Sequence, residues 1–134
     1  MTGITAVLLF AAWTLALMLT YVFYRTGMVA AGRKRADSWT RGRETDDPGF
    51  VVRAQHAHMN CVENLPVFAA IVLAAYALGR PAVVDGLARY VLWARLAQSG
   101  VHLIGVSHAL VFVRGSLFTI QVVLFLYMIW GLLL

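Results

Sequence analysis

A chain of 134 residues that is 61% hydrophobic and only 13% charged, with a mean hydropathy of +0.77, excludes a water-soluble fold and leaves room for four membrane spans at about 20 residues each in one domain, 1–134. A net charge of +5 would point a soluble chain toward nucleic acid, but here loop topology accounts for it and no nucleic-acid motif is present. The single cysteine, Cys61, excludes an internal disulfide.

The first span is expected over about 4–24. It carries no charge and closes on Tyr21, Phe23, Tyr24 and Arg25, an interfacial mix of aromatics and a cation. It is too long for a signal peptide, and no basic residue precedes its apolar run. From Arg25 to Pro48 the chain is polar, as befits a lid, a binding loop or a mobile segment. The second span, about 50–78, contains Pro66, which removes a backbone donor and is expected to kink the helix. Gly79-Arg80-Pro81 then reverses the chain tightly, so the third span, about 82–104, runs antiparallel to the second. A connection over about 105–113 leads through Arg114 to the fourth span, about 115–134, which is apolar apart from Gln121. An all-α antiparallel bundle of four transmembrane helices follows. Six Lys or Arg between the first two spans make that loop cytoplasmic and put both termini on the opposite side.

The second span carries the chemistry. At about 100° per residue, Arg53, His56, Asn60, Glu63 and Asn64 share one stripe, while Gln55 and His58 point elsewhere. Arg95, Gln98, Ser99 and His102 recur at i, i+3, i+4 and i+7 on the third span and face the same leaflet. Ionisable groups at membrane depth are energetically expensive and mark functional sites by default. Each has a plainer reading too. Arg53 sits near enough to the interface to snorkel. Glu63, about 15 Å deep by helical rise, has either a structural cation or a ligand as its partner. Asn60 and Asn64 serve either as interhelical glue or as ligand contacts. His56 and His58 lie about 200° apart and cannot chelate one ion, and His56, Asn60 and Glu63 make a poor donor set, so no metal is expected. Cys61, off the stripe, reads as a packing residue.

The run Ala57-His58-Met59-Asn60-Cys61-Val62-Glu63-Asn64-Leu65-Pro66 resembles the second-helix signature of the MAPEG family, the membrane-associated proteins in eicosanoid and glutathione metabolism. The likeness extends in outline over the whole chain. It implies a homotrimer of four-helix bundles that binds glutathione at subunit boundaries on the cytoplasmic side. It also implies a glutathione-binding role for Arg53, His56, Asn60, Glu63, Asn64, Arg95, Gln98 and His102, with Glu63 on the α-ammonium group and Arg114 stabilising the thiolate. Three positions depart from the family pattern. His56 replaces an arginine, and Gln98 and His102 stand where His or Tyr, and Tyr, are usual.

The expected activity is that of a glutathione transferase or glutathione peroxidase. Glutathione is the cosubstrate, the second substrate is a lipophilic electrophile or hydroperoxide entering from membrane lipid, and the setting is a bacterial inner membrane. The competing class is a non-catalytic scaffold or binding protein that keeps the same bundle. A small carrier is a weaker third reading, since a single buried carboxylate and no half-helix pair make a poor alternating-access device.

Overall fold

The computed structural model describes residues 1–134 and consists of four α-helices with no strand: α1 (Gly3–Ala30), α2 (Gly49–Ala77), α3 (Ala82–Ile104) and α4 (His108–Leu133). Three of them, α1, α2 and α4, are long and apolar enough to cross a membrane. The 23 residues of α3 reach about 34 Å at the helical rise. Its charged residues, Asp85, Arg89 and Arg95, depress its hydropathy, but Arg95, Gln98, Ser99 and His102 are withdrawn into the bundle. Both α2 and α3 contact all three other helices, and α4 packs mainly along α3.

Local sequence explains how the helices begin and reverse. Thr2 caps α1, its Oγ1 accepting from the Thr5 amide at 3.2 Å. Asp85 adds a carboxylate at the same helix start, where Oδ1 accepts from the Gly3 amide at 2.7 Å and from the Tyr76 hydroxyl at 3.0 Å. A Cβ at Gly3 would stand 3.0 Å from Val72 Cγ1, so a side chain there would require Val72 to give way. At the end of α2 the Arg80 amide donates to the Ala75 carbonyl and the Gly79 amide to that of Tyr76. Gly79 takes φ +67°, the left-handed step such a helix ending requires. Despite Pro66, α2 is one uninterrupted helix.

Two helix boundaries differ from the hydropathy reading. α1 continues to Ala30, because the apolar segment ends at the interface while nothing in Arg25–Ala30 breaks a helix. α4 starts at His108, where Ser107 supplies the cap by accepting from the Leu110 amide at 3.4 Å. Arg114 therefore stands two turns inside the helix and not in a loop.

The core is an aromatic ladder through the bundle, with Phe10 of α1 6.1 Å from Phe68 of α2 and Phe68 stacked 5.8 Å from Phe125 of α4. The first connection is tied down around Asp47. Its carboxylate accepts from Arg25 Nε at 3.0 Å, from Lys34 Nζ at 3.1 Å and from Trp39 Nε1 at 2.9 Å, and Arg25 lies against the rings of Tyr21 and Trp39. Burial alone would raise the Asp47 carboxyl, but the bonds from Trp39, Lys34, Arg25 and Thr45 outweigh it and hold its pKa below the ordinary carboxylate value. This polar connection is thus strapped to the end of α1.

Candidate functional site

Because α4 lies along α3 and meets α2 only sparsely, a groove stays open between α2, α3 and α4. It has a volume of about 310 Å³ and four polar walls, Asn60 and Glu63 from α2, Gln98 from α3 and Arg114 from α4, with Val111, Gly115 and Phe118 completing it. The Phe68–Phe125 stack closes the α2/α4 cleft beyond it. Larger hollows elsewhere are lined mainly by apolar and aromatic residues, as between Val83, Leu87 and Trp130 at the opposite end. A groove at the lower end of the usual small-ligand range, about 300–1,000 Å³, with a few convergent polar groups has the character of a binding site.

Its charges are uncommitted. All four ion pairs of the structure lie within residues 25–47, so the Glu63 carboxylate and the Arg114 guanidinium face one groove without pairing to each other or to any neighbour. A carboxylate and a cation left free on opposite walls suit a ligand that carries both signs of charge.

A basic cluster stands beside the groove. Asn60 Nδ2 is 3.4 Å from Nδ1 of the buried His102, whose ring lies 6.1 Å from that of His56. Arg53 donates through Nε to the Leu103 carbonyl at 2.8 Å, holding the start of α2 against the end of α3. Arg53, His56 and Arg114 are all within electrostatic reach of His102. Anions therefore find favourable potential at this end of the bundle.

The structure thus brings Asn60, Glu63, Gln98 and Arg114 together and sets Arg53, His56 and His102 around them. Three other residues of the two stripes, Asn64, Arg95 and Ser99, do not line the groove. Asn64 is buried and turns its amide back along α2 to the Asn60 carbonyl, 2.9 Å away. Arg95 is wholly buried over the Phe10 ring, 5.2 Å from its centroid, with Nε and Nη2 unpartnered. It shares a face of α3 with His102 but sits seven residues, about 10 Å, deeper, where α1 covers that face. Gln55 and His58 point to α1, as their angular positions require: Arg25 Nη2 donates to Gln55 Oε1 at 2.7 Å, and the Tyr21 hydroxyl lies 3.1 Å from His58 Nδ1. Cys61 is buried with Sγ 3.7 Å from the Ser99 hydroxyl.

On the α4 wall sequence reasoning reached Arg114 but not Val111, Gly115 or Phe118. Val111, Arg114, Gly115 and Phe118 recur at i, i+3, i+4 and i+7, a helical stripe that becomes visible once Ser107 is taken as the cap. Continuing it leads to Gln121, wholly buried, which donates to Gln98 Oε1 at 3.0 Å.

The model of the MAPEG family matches residues 3–134, essentially the whole chain. No curated protein and no solved structure matches it.

Proposed function

The chain belongs to the MAPEG family, a family of membrane proteins of glutathione and eicosanoid metabolism, and on that premise we propose that it is a glutathione-dependent transferase or peroxidase acting on lipophilic substrates. The observation that carries the reading is the free Glu63 carboxylate and the free Arg114 guanidinium on one groove. Glutathione offers an α-ammonium group for the first, carboxylates and a sulfur for the second, and amides for Asn60 and Gln98. Arg53, at the start of α2, is the cation for a glutathione carboxylate, with His56 and His102 beside it.

In this reading Arg114 holds the sulfur as thiolate. A free thiol has a pKa of about 8.5, and the thiolate is the nucleophile. Lowering that value by about 2 units takes about 2.7 kcal/mol of differential stabilisation, within reach of one guanidinium in a partly desolvated groove. In conjugation the sulfur forms a bond to an electrophilic carbon while that carbon's leaving group departs or its π electrons shift away. In peroxide reduction the thiolate attacks the outer oxygen, the O–O bond breaks to release an alcohol, and a second glutathione resolves the sulfenic product to the disulfide and water. The lipophilic partner enters sideways from the bilayer across α4, whose outer face is apolar. Assembly as a homotrimer walls the open side of the groove.

Glutathione affinity of the purified protein, together with electrophile-conjugation rates of wild type and Arg114→Ala, tests the reading. Saturable binding with a slowed variant is expected, and no saturable binding overturns it. The competing reading, a non-catalytic scaffold or binding protein, draws on His56, which lacks an arginine's permanent charge; it predicts no conjugation or peroxide turnover by wild type.

A further inference from the structure

Of the groove's two side-chain amides, Gln98 is held from behind by Gln121, which is wholly buried and does not line the groove. We infer that Gln121 is a positioning residue: it locks the Gln98 side chain so that the Gln98 NH₂ faces the groove as a hydrogen-bond donor, making this wall select an acceptor on the ligand. The inference rests on the glutathione reading for the identity of that ligand, but not for the orientation itself.

The orientation follows from the donor and acceptor inventory. A main-chain carbonyl only accepts, so the Gln121 side-chain atom 3.1 Å from the Leu117 carbonyl is its nitrogen. That same nitrogen is 3.0 Å from the Gln98 side chain, which must present its oxygen there. Both bonds are thus spoken for by one NH₂, and the Gln98 nitrogen is left pointing away from Gln121. It has no partner within the chain, yet it is not among the sealed-off polar atoms of the protein. Gln98 lines the groove, so its nitrogen opens there.

A second observation sets Gln121 apart from simple helix glue. Its Oε1 is buried without any hydrogen-bond partner, an arrangement that an apolar residue of the same size would avoid. α4 is otherwise apolar through this depth, from Ile120 and Val122 to Trp130. A polar side chain that leaves one of its own groups unsatisfied, while using the other to fix the amide of a groove residue, fits orientation of a site better than stabilisation of the bundle. The ligand group so selected is a carbonyl or carboxylate oxygen, or the thiolate sulfur. A donor group at that position would meet a donor and be rejected.

The chain has three glutamines, Gln55, Gln98 and Gln121, so ¹⁵N labelling of glutamine side chains gives three amide pairs, assigned with single Gln→Met variants. In wild type the Gln98 pair is expected to exchange with water and to shift on addition of glutathione, while the Gln121 pair is protected. Gln121→Met is expected to weaken glutathione binding about fivefold, the worth of one ordinary hydrogen bond, and to add little further loss in a Gln98→Met background. A protected Gln98 pair in wild type overturns the orientation whether or not glutathione binds. Unchanged affinity in Gln121→Met, or losses that simply add in the double variant, overturns the positioning role. Absence of glutathione binding to wild type overturns the functional reading instead, and the exchange pattern still decides the orientation.

Discussion

Replacing Glu63 with glutamine removes one charge and keeps the shape, so it isolates what the carboxylate does for a ligand. In a site of effective dielectric about 20, opposite unit charges 4 Å apart attract by about 4 kcal/mol. Glu63 is more than a third exposed in a groove open on one side, which reduces this toward the about 1.5–3 kcal/mol of a charged hydrogen bond. Glu63→Gln should therefore weaken glutathione binding by about 10- to 100-fold. Calorimetric titration of wild type and variant, each with glutathione and with its des-amino analogue, closes a thermodynamic cycle. Wild type should prefer glutathione to the analogue by that same factor, and the variant should scarcely distinguish them. Because Glu63 has no ion partner in the protein, the substitution strands no buried cation, and the melting temperature should move little. A variant that still discriminates between the two ligands refutes the assignment of the ammonium group to this carboxylate.

For Arg114→Ala, the pH profile of kcat for electrophile conjugation should move about 2 units to the alkaline side, as the bound thiol regains its ordinary pKa; an unmoved profile assigns the thiolate to another cation. Arg95→Met should leave glutathione affinity within about twofold and the melting temperature no lower, since it replaces a buried cation with two unsatisfied nitrogens by an apolar side chain; loss of binding would show that this charge acts on the groove. Asp47 has a folded pKa below its unfolded value, so its contribution is fully present above the unfolded carboxylate pKa of about 3.9 and is lost as pH falls through the lower folded value. The Trp39 indole N–H resonance should accordingly stay fixed at neutral pH and shift only below about pH 4; a shift between about pH 5 and 7 would contradict the sign. At neutral pH, Asp47→Asn should speed tryptic cleavage after Arg41 and Arg43, which wild-type rates would disprove.

Much of the bundle is legible because apolar length and tight-turn chemistry are local properties. Gly79 and the polar stripe of α2 announce themselves without any knowledge of packing. What the chain does not display is where helicity begins and ends: Arg25–Ala30 is helical although it follows the apolar span, and His108–Val113, apolar itself, joins α4 although Arg114 stands between it and the longer apolar run. That second extension hid Val111, and with it the i, i+3, i+4, i+7 stripe that joins Arg114, Gly115 and Phe118 into one wall of the groove. Depth was the other obstacle. Arg95 and His102 lie on one face by periodicity, yet only tertiary packing decides that Phe10 covers the first while His56 and Asn60 meet the second. Likewise Gln121 is a lone polar residue by sequence, and only the crossing of α3 and α4 gives it Gln98 as a partner.

The most direct measurement is a structure of the protein determined in saturating glutathione. The tripeptide is expected in the groove between α2, α3 and α4, its ammonium group on Glu63 and its sulfur beside Arg114. Glutathione lying elsewhere on the bundle, or a groove without it at saturation, would contradict the assignment.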